Sequence, residues 1–124
     1  MAKTILVIED DNFLSSLEAK KLKEKGYEVI TAANSDEAFK VISNTKGAVD
    51  LVILDLMLPG VDGFEVLRTI RKDEVISRVP VIVFSNLYEE KDVKEATKLG
   101  IANFMVKSNF TLDELVEKIK MLIG

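Results

Sequence analysis

Apolar residues fall in five short runs separated by longer amphipathic stretches. Residues 4–8, 28–32, 51–55, 81–85 and 103–106, rich in Val, Ile, Leu and Phe, read as strands. The stretches 12–25, 35–44, 63–72, 89–99 and 111–123 read as helices. Strands alternating with helices of about ten residues predict repeated βαβ units, hence an α/β fold on a parallel sheet. The last helix carries the clearest local signals. Thr111 and Glu114 have the spacing of a capping box, and Phe110 with Leu115 that of a hydrophobic staple. Leu112, Leu115, Val116, Ile119, Leu122 and Ile123 then share one apolar face. Helix 89–99 differs, because only Val93, Ala96 and Leu99 form an apolar line among charged neighbours that include Asp92. It reads either as an ordinary surface helix or as an element of low local stability that can shift.

The strand ends carry the chemistry. Glu9 and Asp10 follow the first run, Asp55 closes the third, Ser85 closes the fourth and Lys107 follows the fifth. In an open parallel α/β sheet, ligands bind beyond the carboxyl ends of the strands, where the strand order reverses. Any single acidic residue there has a plainer reading, as a turn former or helix cap. Taken together, Glu9, Asp10 and Asp55 would put three negative charges in one crevice, which raises their pKa values unless a cation neutralises them. Oxygen-only ligands with room for water suit a hard cation such as Mg²⁺.

Length and charge narrow the classes. A chain of 124 residues with 48% hydrophobic content is enough for one core, so one domain is expected over 1–124. A net charge of −4 argues against non-specific nucleic-acid binding. There is no Cys and no His, so neither can serve as a zinc ligand and nothing indicates an oxidising compartment. The N-terminal residues run straight into the first strand without a signal-like apolar stretch, and no apolar run approaches membrane-spanning length. A cytoplasmic location is expected.

From Lys3 onward the chain resembles the receiver domain of two-component response regulators. The resemblance rests on Glu9-Asp10, on Asp55-Leu56-Met57-Leu58-Pro59-Gly60, on Ser85 and on Lys107, in order at four strand ends. It implies a flavodoxin-like sheet of order 2-1-3-4-5 with five helices on both faces. It also implies that Asp55 accepts a phosphoryl group from a histidine kinase, so the chain is a phospho-acceptor rather than an enzyme in the usual sense. Asp10, Asp55 and the Met57 backbone carbonyl would ligate Mg²⁺, with Glu9 acting through water. Lys107 would pair with Asp55 and then with the phosphoryl oxygens. Ser85 and Phe104 would be the switch, altering the surface of helix four, strand five and helix five toward a downstream protein or a second copy. Lacking His, the chain cannot be its own phosphohistidine donor.

Some positions depart from the family pattern. Ser108 stands where the family usually has a proline, often joined through a cis bond, and before a non-proline residue that bond costs roughly 2.5–4 kcal/mol. Asn86 and Leu87 follow Ser85 where a small residue is common, and Phe104 replaces a frequent tyrosine. Three other readings compete. A flavodoxin-like anion binder is disfavoured by Glu9-Asp10-Asp11, which would repel an anion. A dehalogenase-type phosphatase would need a second acid where Met57 stands. A degenerate receiver, acting only as a protein-interaction module, would have no need for intact Asp10, Asp55 and Lys107.

Overall fold

The computed structural model describes residues 2–46, 48–60, 62–74, 76–87 and 89–124. Among them, β1 (Thr4–Ile8), β2 (Glu28–Ala32), β3 (Leu51–Leu54), β4 (Val81–Ser85) and β5 (Asn103–Val106) form one parallel sheet of order β2-β1-β3-β4-β5. The helices α1 (Asn12–Glu24), α2 (Ser35–Thr45), α3 (Gly63–Lys72), α4 (Glu90–Lys98) and α5 (Leu112–Ile123) alternate with them. Fold class, strand order and element positions match the sequence expectation. The element it did not foresee is a single 3-10 turn over Lys107–Asn109. The described peptide bonds are all trans.

Pleat alternation sorts the core into two layers. Leu6, Ile8, Val52, Leu54, Val81 and Val83 pack with residues of α2, α3 and α4. Their sequence neighbours Ile5, Val7, Leu51, Ile53, Ile82 and Phe84 pack on the other face with residues of α1 and α5. Every residue of β3 and β4 is buried, so these strands read as continuous apolar runs rather than alternating ones. Four helices have side-chain caps, with Asp11, Asn34, Asp62 and Thr111 accepting from backbone N–H groups of the first turn. Each cap contributes about 0.5–2 kcal/mol. The Thr111–Glu114 capping box forms in both directions. The N-cap of α4, Glu89, makes no side-chain capping bond.

Three helical faces depart from their apolar pattern. On α5, Leu115, Val116 and Ile119 are buried, but Leu122 is left 39% exposed. In α4 the buried residues are Asp92 and Ala96, so an aspartate sits inward in place of a fuller apolar line. On α1 the inward face is Ser15, Glu18, Ala19 and Leu22, while Phe13 is 75% exposed. The carboxyl of Glu18 is buried with neither oxygen hydrogen-bonded among the described residues. Burial, with a further push from the charge of Glu9, raises its pKa from an ordinary 4.5 to about 8.

At the start of α3 the backbone comes unusually close to the loop after β3. A Cβ on Gly63 would lie 2.4 Å from Leu56 Cα and 2.6 Å from its carbonyl oxygen. Only a glycine permits that approach, which brings Gly63 N–H to the Leu56 carbonyl at 3.2 Å.

Gly63→Ala should therefore destabilise the fold by about 1–3 kcal/mol or more, read as a lower denaturant midpoint, because the clash is with backbone that cannot rotate away. Glu18 generates a pH prediction. Its folded pKa lies above the unfolded value, so the folded state binds more protons, and stability falls as pH rises from about 4.5 through about 8. Denaturant titrations should show Glu18→Gln flattening that fall, with an advantage over the parent on the order of a few kcal/mol larger near pH 8.5 than near pH 5. Parallel pH profiles for the two proteins would show that Glu18 is not held neutral.

Candidate functional site

The carboxyl ends of β1, β3, β4 and β5 converge, and backbone bonds fix which residues meet. The Asp55 N–H donates to the Ile8 carbonyl at 3.0 Å, which sets Asp55 beside the residue that follows Ile8, Glu9. The register of β4 on β5 pairs Ser85 with Val106, so Lys107 leaves the sheet next to Ser85. The site is thus a product of strand register at the switch point between β1 and β3.

Asp55 is 4% exposed and both of its oxygens are occupied. Oδ1 accepts from the Ser85 hydroxyl at 2.7 Å and from the Met57 N–H at 2.9 Å. Oδ2 accepts from Lys107 Nζ at 2.7 Å. The same ammonium pairs with Glu9 Oε1 at 2.5 Å, and Glu9 Oε2 accepts from the Asp11 N–H at 3.1 Å. Asp10 is exposed, yet oxygens of Glu9, Asp10 and Asp55 all lie within 4.8 Å of one another. Glu9, Asp10, Asp55, Ser85 and Lys107 are therefore gathered in one crevice. Phe104 lies on β5, paired with Val83 and partly buried against the core layer that includes α2, α3 and α4.

Electrostatics follow from burial and like charge. Burial is the main cause that lifts the Glu9 pKa from 4.5 to about 7, and the negative charge of Asp55 adds to it against the opposing pull of Lys107. For Lys107, burial works against the charge, but hydrogen bonds to Asp55 and Glu9 outweigh it and hold its pKa above the ordinary value. One ammonium thus serves two buried carboxylates, with a third exposed beside them. That donor set is all oxygen, with excess negative charge and one open side, which fits a hard divalent cation.

Sequence reasoning missed two features. One is the direct Lys107–Glu9 pair, since nothing in a linear pattern says which carboxylate an ammonium will share. The other is Glu18, whose electrostatic neighbours are Glu9, Lys107, Asp55 and Asp11. Its signal was present: Glu18 stands three residues after Ser15 and four before Leu22, on the face that packs inward.

Comparison with known proteins agrees with this geometry. The family profile described as "Response regulator receiver domain" matches residues 5–120. The phosphate regulon transcriptional regulatory protein PhoB of Pseudomonas aeruginosa is 32% identical over 123 residues, 99% of this chain and 52% of that protein. The chain spans about half the length of the curated relatives it matches. A response regulator receiver domain protein from Methanospirillum hungatei superposes with a TM-score of 0.89 at 26% identity, covering 98% of this chain and 93% of that one. The chemotaxis protein CheY4 of Vibrio cholerae shares the fold, with a TM-score of 0.89 at 22% identity over 99% of this chain and all of that one. No helix among the described residues is long and apolar enough to cross a membrane. A strand-end constellation of the expected chemistry, a matching profile and a shared fold together place this chain in the response regulator receiver domain family.

Proposed function

We propose that Asp55 accepts the phosphoryl group passed from the phosphohistidine of a histidine kinase, with Mg²⁺ held beside it, and that the modified domain regulates a partner protein. The observation that carries this is Asp55 itself: a buried carboxylate whose two oxygens already engage an ammonium, a hydroxyl and a backbone N–H. An Asp55 oxygen forms a bond to phosphorus as the phosphorus–nitrogen bond to imidazole breaks, and the departing imidazole takes a proton from water. Such transfer needs positioning and charge neutralisation more than bond-making groups. Asp10, Asp55 and the Met57 carbonyl would hold Mg²⁺, and Glu9 would act through water once Lys107 gives up its share of that carboxylate. When bound, the ion neutralises phosphoryl oxygens during transfer.

The chain's own residues do the rest. Lys107, paired with the Asp55 carboxylate before transfer, would then pair with the phosphoryl oxygens and balance the added charge. Ser85, now donating to Asp55 Oδ1, is the neutral donor able to turn toward a phosphoryl oxygen. That turn loosens the contact in which the Ser85 oxygen accepts from the Leu87 N–H at 3.2 Å. Leu87 and Phe104 pack against the same core layer as α4, which gives the signal a route to the surface of α4, β5 and α5. That surface would meet a downstream protein or a second copy of the chain, so the protein is a monomer or a phosphorylation-dependent dimer. Direct nucleic-acid binding is not part of this reading, given the net charge of −4. A phosphorylation-independent interaction module is the weaker reading, since it leaves the Asp55–Lys107–Glu9 arrangement without a task.

Saturating Mg²⁺ should raise the melting temperature by mass action, worth about 2.7 kcal/mol at one hundred times the dissociation constant. Asp10→Ala should stay folded and lose that response; a mutant that still responds in full would place the ion elsewhere. Acetyl phosphate with Mg²⁺ should add one phosphoryl group by intact mass, and Asp55→Asn should abolish it. Labelling that survives in Asp55→Asn means a different nucleophile. Ser85→Ala should still be labelled, but amide chemical-shift changes that reach residues 89–100 and 103–106 in the parent should shrink to the pocket. Lys107→Ala should likewise accept the phosphoryl group yet fail to transmit it.

A further inference from the structure

The two ends of α4 are held very differently. At the C-terminal end, the Arg71 guanidinium donates to the carbonyls of Leu99 at 2.7 Å, Gly100 at 3.0 Å, Val79 at 2.8 Å and Ser77 at 3.1 Å. One planar, permanently charged group thus ties the exit of α4 to the turn that leads into β4. Gly100 takes the left-handed backbone there, with φ of +73°, and its Cβ position lies 3.8 Å from Arg71 Nε. Among the described residues the N-terminal end has no comparable fastening to the rest of the fold. Its N-cap, Glu89, makes no side-chain capping bond. The ion pair of Glu89 with Lys91 and that of Glu90 with Lys94 are exposed and stay within the helix itself, so they tie it to nothing else. Within the first turn Asp92 Oδ2 is buried without a hydrogen-bond partner among the described residues. A helix end that holds an unsatisfied buried carboxylate oxygen gains by moving toward water. Midway, Arg68 reaches Glu95 at 2.7 Å, an exposed pair that adds little restraint.

The phosphoacceptor is wired to the loose end. Asp55 Oδ1 accepts from the Ser85 hydroxyl, and the Ser85 oxygen accepts from the N–H of Leu87, just before α4 begins. We propose that α4 works as a lever, with a fulcrum at Leu99–Gly100 that Arg71 fixes, and that the event at Asp55 is delivered to its free end at Glu89–Asp92. Arg71 is then a positioning residue of the switch, although it touches neither the phosphoryl pocket nor a partner. A helix of nine residues is about 13 Å long, so a small rotation about the clamp moves the first turn most and the last turn least. The output surface changes in a graded way along α4, and the clamp sets where that change stops. This inference rests on Asp55 and Ser85 acting as proposed above.

The chain has no cysteine, so paired spin labels can be placed cleanly. One label goes on α2 through Lys40→Cys, paired either with Glu90→Cys at the free end of α4 or with Lys98→Cys at the clamped end. All three positions are exposed. Distances are measured by pulsed electron paramagnetic resonance in Mg²⁺, before and during steady phosphorylation by acetyl phosphate, with occupancy read by intact mass. The 40–90 distance should shift on the order of 1–2 Å, while the 40–98 distance stays fixed. In Arg71→Gln the 40–98 distance should shift as well, at unchanged phosphoryl occupancy. Arg71→Lys, which keeps the charge but not the fork, should give the same release. Equal shifts at both ends in the parent would overturn the lever while leaving the switch standing. A clamped end that stays fixed in both Arg71 variants would remove Arg71 from the mechanism. No shift at either end, with Asp55 fully phosphorylated, would sink the switch reading and the lever with it.

Discussion

Lys107 Nζ stands 2.7 Å from Asp55 Oδ2 and 2.5 Å from Glu9 Oε1, at a place where the two carboxylates expose no more than 5% of their side chains. Without that ammonium, two negative charges would share a dry crevice, and removing one partner of a buried ion pair costs about 3–5 kcal/mol. One positive charge for two buried carboxylates is still too few, which is why burial and like charge drive the Glu9 pKa up to about 7. The unmodified site is held together by a compromise that favours any further positive charge. A hard cation would relieve it, and under the proposed function the negative charge of a phosphoryl group would redistribute it.

The sheet makes the compromise possible. Because β1 and β3 are neighbours, Asp55 is stitched to the end of β1 by a backbone bond rather than by side-chain chance. Because β5 is the edge strand next to β4, Lys107 reaches the carboxylates past Ser85. Glu9 and Asp55 follow the buried strands β1 and β3, and Ser85 closes the buried β4, so their positions inherit the rigidity of the two core layers. By contrast α4, which buries little and has no side-chain cap at its N-terminus, inherits less. Rigid chemistry beside a lightly held helix is the arrangement a transmitted signal requires.

Glu18 shows the cost of this design in the core. Its carboxyl occupies an inward α1 position where an aliphatic side chain would add stability, and it has no hydrogen-bond partner among the described residues. The negative charge of Glu9 and Asp55 and the positive charge of Lys107 all act on it, so its protonation is linked to the charge in the pocket. Nothing else among the described residues explains a carboxyl at that position.

The sequence by itself determined the elements, the parallel α/β class and the acidic strand ends, because these depend on local period and on residue type. The Thr111–Glu114 box was legible for the same reason: both of its bonds close within one turn. Tertiary structure decided what depends on contacts distant in sequence. Lys107 and Glu9 are 98 positions apart and meet only through strand order and register. The inward face of α1, with Phe13 in solvent and Glu18 buried, is another case, because the helix is oriented by docking on the sheet rather than by its own amphipathicity. Apolar pattern misled on α4, where Asp92 is buried although it stands among charged residues. The clamp of Arg71 on the end of α4 was invisible for a related reason. Its four acceptors are backbone carbonyls, which every residue carries, so only the folded chain says which of them a guanidinium will find.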